Sequence, residues 1–348
     1  MKMAGTNATG QARRHWGVMP PLPAPFLVEA AKQAEASGLE GLFATQVYGP
    51  PFITLGAVAA VTEHLKIASG IAIAAVRSPF ETAMAAIDLD RISMGRFTLG
   101  LGTSISAWTS GVFGTPDYKP LAHLRETVAA VRQIVKTAHC GLQPFHGTYF
   151  NADFKELQPT QPPLRDEIPI WIAALREKLA CLAAEIGDGV IGHPMWSVEW
   201  TLNEMKPAVE GALARAGRKR GDLEVSVWPW VAPNPNEAEA LDDARPTIAF
   251  YGGAKQYESF FEAHGFLKEA RLLQEGVQRG DYLSVAPLVP DEMVRAFVAT
   301  GDLDKVRERI EPIWGFADSM CMVPPAYNLT PEKQLYYQGQ IAQITGPR

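Results

Sequence analysis

A (β/α)8 TIM barrel, an α/β fold, is the class this 348-residue sequence predicts. Eight short apolar segments read as strands, helical sequence separates them, and glycine or proline punctuates the joins. A barrel of this kind binds its ligands at the C-terminal ends of the strands, where insertions commonly carry function. A doubly wound open sheet is the alternative. It is weakened because Gly100-Leu101-Gly102-Thr103-Ser104-Ile105 lacks the third glycine of a dinucleotide fingerprint.

The first strand is expected over His15–Met19, ended by Pro20, Pro21, Pro23 and Pro25. A helix follows over Phe26–Ser37, with Leu27, Ala30, Ala31 and Ala34 on one stripe and Gly38 as its stop. Leu39–Ala44 is the second strand, Phe52–His64 an Ala- and Val-rich helix, and Leu65–Ala74 the third strand. The step from Ser78 to Thr103 is the most informative stretch. Ser78 sits at a capping position with Glu81 three residues on, Pro79 takes the tolerated first helical position, and Gly95 ends the helix before strand Phe97–Leu101. The alternation resumes with strand Ile168–Ala173, helix Glu177–Ile186, strand Gly189–Gly192, helix Ser197–Ala216 and strand Leu223–Val231. Helix Leu303–Ile313 and strand Ala317–Val323 close the series, with acidic Asp302 and Asp304 favourable at that helix start.

The expected organisation is a flexible N-terminal tail over 1–14 and a single barrel domain over 15–348. Insertions fall near 137–167, a long loop with room for a hairpin, and near 233–289, which contains helical stretches. Hydrophobic residues make up 47% and charged residues 20%, ordinary for a globular chain, and the net charge of −6 argues against a nucleic-acid partner. No stretch approaches the roughly 20 apolar residues of a membrane span. Arg13-Arg14 is followed by His15-Trp16-Gly17 rather than a long apolar run, so export is not expected. Cys140, Cys181 and Cys321 are odd in number and widely spaced, which fits a reducing cytoplasm and three small buried apolar residues. His139 and His146 flank Cys140 without a convincing third ligand, so no metal site is expected.

Several ordered segments carry a family resemblance: Ala34-Glu35 before Gly38-Leu39, Thr62 before Leu65-Lys66-Ile67, and Arg77-Ser78-Pro79. They continue with Leu89-Asp90-Arg91-Ile92-Ser93-Met94-Gly95-Arg96, Leu99-Gly100-Leu101-Gly102, Pro169-Ile170-Trp171-Ile172-Ala173-Ala174 and Gly187-Asp188-Gly189-Val190. In order and spacing the chain resembles the bacterial luciferase-like superfamily of flavin and deazaflavin oxidoreductases. The segments Ile248 to Gly253, Tyr257, His264-Gly265 and Gly192-His193-Pro194 are similar to its coenzyme F420-dependent branch. The two branches share one fold and one pocket, so the resemblance implies F420, with FMN as the alternative. It also implies a small-molecule substrate and a homodimer formed through barrel helices.

Site residues follow from that resemblance. The tricyclic ring would lie against a bulge with a non-proline cis peptide at Gly70-Ile71, near Gly102 and Thr103. The anionic tail would meet Ala174-Leu175-Arg176 and Gly192-His193, where helix-start amides and Arg176 favour an anion. Many relatives carry an acidic residue followed by histidine after the second strand. Here those positions read Gln46-Val47, neither a general base, so the carboxylate-plus-histidine mechanism does not transfer. The remaining mouth residues are aromatic and hydroxylic: Tyr48, Ser104, Ser106, Trp108, Tyr251 and His264, with Trp16 and Met19 as floor. Trp108, Tyr251 and His193 are the catalytic candidates, and Met19, Gln46, Tyr48, Trp108 and Tyr251 the substrate-binding ones. The expected activity is hydride transfer between deazaflavin C5 and a largely apolar substrate. The alternatives are an FMN-dependent monooxygenase and a catalytically silent flavin-binding barrel.

Overall fold

Strands buried on both faces need continuous apolar runs rather than alternation, and Gly-Leu-Phe-Ala at 41–44 and Ile-Trp-Ile-Ala-Ala at 170–174 are such runs. The computed structural model describes residues 6, 7 and 9–345. The fold is a closed parallel barrel of eight strands with helices between them. Its strands begin with β1 (Arg14–Val18), β2 (Gly41–Ala44), β3 (Lys66–Ser69), β4 (Ala72–Ile73) and β5 (Phe97–Gly102). They go on through β6 (Ile170–Ala174), β7 (Gly189–Gly192), β8 (Glu224–Val227) and β11 (Ser319–Cys321), while β9 (Trp230–Pro233) and β10 (Val298–Gly301) form a separate two-stranded sheet. The expected third strand is split by Gly70-Ile71 into β3 and β4, and the expected Leu223–Val231 strand is interrupted after Val227.

The chain divides into two compact units. The first, Trp16–Gly192 with Pro207–Ser226, contains the parallel ladders β1–β2 (Trp16↔Gly41, Val18↔Phe43), β2–β3, β3–β5, β5–β6, β6–β7 and β7–β8. Among the described residues, the second takes those up to His15, His193–Lys206 and those from Val227 onward. In it β9 pairs with β10 in parallel, Trp230 opposite Val298.

The residues that carried the resemblance turn out to pin the N-terminal ends of the strands of the first unit. Glu35 Oε1 accepts from the backbone N–H of Glu63, His64 and Leu65 just before β3. Arg96, just before β5, donates to the carbonyls of Leu65, Ala59, Thr62 and Ser93. Buried Asp90 pairs with Arg165, which also reaches the Phe97 carbonyl at 2.8 Å. Asp188 accepts from the Ile170 N–H at 2.8 Å and from Arg132 at 2.9 Å. Ser78 caps its helix as expected, accepting from the Glu81 N–H at 3.0 Å, and Gly95 takes φ +84° at the stop.

Some elements differ from expectation. The helix Pro120–Thr137, the strand β10 and the helix Pro331–Thr345 were not among the expected elements. The helix expected over Ser197–Ala216 is broken by a wider π turn at Thr201–Met205. The loop after Thr137 does hold a two-stranded hairpin, Phe145–His146 against Asn151–Ala152. Of the cysteines only Cys321 is buried; Cys181 is half-buried, and Cys140 is exposed because it lies in the turn beyond the helix end at Thr137. Within the expected tail, residues 1–5 and 8 lie outside the described residues. Asn7 is buried, its Oδ1 accepting from the Gln11 N–H at 2.8 Å. Among the described residues no helix is long and apolar enough to cross a membrane, and no group of three metal-binding side chains occurs.

Candidate active site

In the first unit the barrel interior is plugged by aromatic rings. Trp16 packs on Phe43 at 4.5 Å between centroids and on Trp171 at 5.4 Å. β1 and β6 are not neighbours in the sheet, so the Trp16–Trp171 contact passes through the interior and fixes which face points inward. Gly41 and Gly189 make room for the plug: a Cβ on either would collide with the ring of Trp16 or Trp171.

Two residues further along each strand, the period of two puts Val18 and Ala173 on the same inner face. Val18 is 36% exposed and Ala173 half-buried, although their strand partners Phe43 and Ile191 are buried. Gly102 also faces inward, and a Cβ there would overlap Ile71 Cδ1 and lie 3.3 Å from Ala173 Cβ. Ile71 is itself half-buried. Above the aromatic plug there is thus an apolar floor whose accessible residues are Val18, Ile71 and Ala173, with Gly102 buried against Ile71 and Ala173. The Gly70–Ile71 peptide bond is cis, at the place the resemblance implied. Gly70 N–H donates to the Ala44 carbonyl at 2.8 Å, and the Ile71 carbonyl accepts from Gln46 N–H at 3.2 Å.

β6 leads from that floor into a helix start. Arg176 precedes the helix Glu177–Ile186, is exposed, and no side chain caps the helix. The Leu179 and Ala180 amides bond back to the Arg176 carbonyl, so the amides of Glu177 and Lys178 are the open donors of the first turn. These donors, with the guanidinium, suit a phosphate.

The other residues expected in this unit scatter. Met19 is buried, its N–H on the Phe43 carbonyl at 2.8 Å, and contributes packing. Thr103 is buried, its carbonyl held by the Tyr118 hydroxyl at 3.1 Å, and Ser104 takes φ +56°. Tyr48 is 75% exposed and lies 5.6 Å from half-buried Trp108, ring to ring. Gln46 is half-buried, and its Oε1 accepts from the Ile73 N–H at 2.9 Å and from both terminal nitrogens of Arg77 at 3.1 Å. Gly192 is buried at the end of β7.

In the second unit His193 and Tyr251 are brought together. Their rings meet edge-on at 5.6 Å, and Tyr257 lies 5.5 Å from His193 and 4.8 Å from Tyr251. Burial pushes the His193 pKa down to about 4. Its Nδ1 accepts from the Met195 N–H at 3.1 Å, so the neutral ring carries its proton on Nε2. Burial, then Tyr327 and Tyr257, raise the Tyr251 hydroxyl well above its usual range, and burial raises Tyr257 to about 12. All three groups can donate a hydrogen bond at neutral pH, and no hydroxyl among them is ionised. His264 is not free for chemistry: its Nδ1 bonds to the Phe260 carbonyl at 2.6 Å and its Nε2 to Ser197 Oγ at 2.8 Å. The sequence reasoning missed Val18, Arg77 and Tyr257 as site residues. The signal for Val18 was its spacing of two from Trp16.

These features can be set beside known proteins. The model of the luciferase-like monooxygenase family matches residues 5–314. The chain belongs to that family. With it, the chain belongs among the oxidoreductases. A Mycobacterium tuberculosis protein provisionally named as a coenzyme F420-dependent oxidoreductase is 31% identical over 329 residues, 90% of this chain and 93% of the relative. The coenzyme F420-dependent tetrahydromethanopterin reductase of Methanopyrus kandleri superposes with a TM-score of 0.78 at 22% identity, covering 95% of this chain and 97% of that one. The oxygenating constituent of 3,6-diketocamphane monooxygenase from Pseudomonas putida, in complex with FMN, superposes with a TM-score of 0.66 at 17% identity, covering 97% and 99%. Both superpositions show that this luciferase-like chain shares their fold.

Proposed function

We propose that this luciferase-like chain is an F420-dependent oxidoreductase, moving a hydride between deazaflavin C5 and a largely apolar organic substrate. One observation carries the reading. Strand β6 ends the apolar floor at Ala173 and, within three residues, reaches the uncapped helix start at Arg176, so a flat ring and an anionic tail have adjoining places. The 31% identical relative named for F420 supports that cofactor over FMN. When bound, a deazaflavin supplies two-electron hydride chemistry.

The chain's own residues do the rest. Gly70, Ile71 and Gly102 bound the ring face, with Thr103 beside them. Ala174, Leu175 and Arg176 bind the tail, joined by Gly192. Gln46 and Tyr48 bound the substrate, Met19 packs beneath them, and Trp108 excludes water. Tyr251 holds its proton firmly and His193 presents its proton on Nε2, so both are hydrogen-bond donors rather than bases. The family's monooxygenase description favours a second reading with FMN, since the same floor suits either ring.

The test is anaerobic oxidation of reduced F420 by a panel of ketones, enones and imines, beside binding titrations of F420 and FMN. Turnover of at least one acceptor with F420 is the expected result. Tight stoichiometric FMN with no F420 affinity would overturn the reading in favour of the monooxygenase. Binding of F420 without oxidation by any acceptor would favour a silent barrel.

A further inference from the structure

We infer that Gln46, oriented by Arg77, is an oxyanion donor, and that the substrate is a carbonyl compound reduced at its C=O carbon. The substrate class rests on the F420 reading above; the donor role rests on geometry alone.

An amide side chain is ambiguous between its oxygen and its nitrogen until its partners are known. At Gln46 the partners decide it. A backbone N–H (Ile73, 2.9 Å) and two guanidinium nitrogens of Arg77 (3.1 Å each) are all obligate donors, so the atom they share is the carboxamide oxygen. The nitrogen, with two N–H groups, faces the other way. It has no hydrogen-bond partner among the described residues, and it is not among their buried orphaned atoms, so it is open to solvent. Its place is next to the apolar floor, because the Gln46 backbone N–H bonds to the Ile71 carbonyl at 3.2 Å.

Arg77 makes this donor stronger than an ordinary amide. The guanidinium is half-buried and lies over the Phe52 ring at 5.2 Å. It makes no direct salt bridge among the described residues, although the Glu81 carboxylate acts on it through space. A cation on the carboxamide oxygen draws electron density from the nitrogen and makes its N–H groups more acidic donors. Arg77 is thus a positioning residue, and Gln46 is the group that touches substrate.

A donor of this kind selects for an oxygen that gains negative charge in the reaction. The carbonyl carbon accepts a hydride, two electrons and one proton, from the reduced deazaflavin. The C=O π pair moves onto oxygen, Gln46 Nε2–H holds the resulting alkoxide, and a solvent proton completes the alcohol. The same donor gives no help in removing a proton from an alcohol, which matches the missing base at positions 46 and 47.

The test reads the donor without any cofactor. The protein is titrated with 4-nitrophenol across pH, and the absorbance of the bound phenolate reports the bound acid's pKa. The wild-type protein is expected to lower it by about one unit, roughly a tenfold preference for the ionised form. Gln46→Glu keeps the oxygen that Ile73 and Arg77 bind but turns the outward donor into an acceptor, so the preference disappears. Gln46→Met serves if that variant does not fold. Arg77→Met leaves an intermediate shift, and Arg77→Lys restores part of it. Equal phenolate preference in wild type and Gln46→Glu, or no binding of either form by wild type, overturns the proposal. In a kinetic arm, Gln46→Glu is expected to lower kcat for ketone reduction about 100-fold with F420 affinity unchanged. Failure of wild type to bind F420 would sink the cofactor reading and leave the phenolate result standing.

Discussion

Single residues here set both proton inventory and room. His193 and His15 are each pushed to a pKa of about 4, by burial alone for His193, and by burial and then Arg13 for His15. Folded-state values below the ordinary histidine range mean that the fold favours the neutral rings. Their contribution is complete above about pH 6.5 and is lost as pH falls toward 4, because only the unfolded chain takes up the protons. Urea midpoints should therefore fall between pH 6.5 and 5, and His193→Gln should flatten that fall; identical slopes in the two proteins would count against a buried neutral His193. Much of this scale was hidden from sequence. Gln46 was readable as a group that cannot act as a base, but not as an oriented donor, since its orientation depends on Arg77, 31 residues away. Val18 and Ala173 stand on the inner face by simple alternation from Trp16 and Trp171, yet their accessibility depends on how far up the barrel the aromatic plug reaches.

At the scale of elements, the charged residues of the family segments lie at the end of the strands opposite the floor, whereas Gly102 and Ala173 of those same segments line it. Glu35, Arg96, Arg165 with Asp90, and Asp188 tie the incoming ends of β3, β5, β6 and β7 to neighbouring backbone. The motifs therefore report how this fold is built, and they say little about its substrate. Glu35→Ala leaves three backbone N–H groups without their acceptor, and should cost about 1–3 kcal/mol in urea unfolding. F420 affinity should be unchanged, because the proposed tail and ring places are at the other end; a variant of normal stability with weakened cofactor binding would refute this division. Most strand positions were legible because short apolar runs bounded by glycine leave few alternatives. β10 was not, since Val298–Gly301 continues without punctuation from the apolar end of helix Asp291–Phe297. The helix Pro120–Thr137 was legible from its stripe of Leu124, Val128, Val131, Ile134 and Val135, though it was not among the expected elements.

For the whole molecule, a parallel barrel carries at its strand ends an apolar floor next to an uncapped helix start. Barrel architecture followed from eight alternating segments, and membership of the luciferase-like family from a match over residues 5–314. Neither distinguishes a deazaflavin from a flavin, because the ring shapes are alike and both tails carry phosphate. The measurement that tests the central claim most directly is a fluorescence titration of F420 into the wild-type protein and into Ala173→Phe. The substitution puts a bulky ring on the floor without altering a hydrogen bond. Saturable quenching by wild type, and at least tenfold weaker binding by a folded Ala173→Phe, is the predicted result. Unchanged affinity in the folded variant, or no F420 binding by wild type, would contradict it.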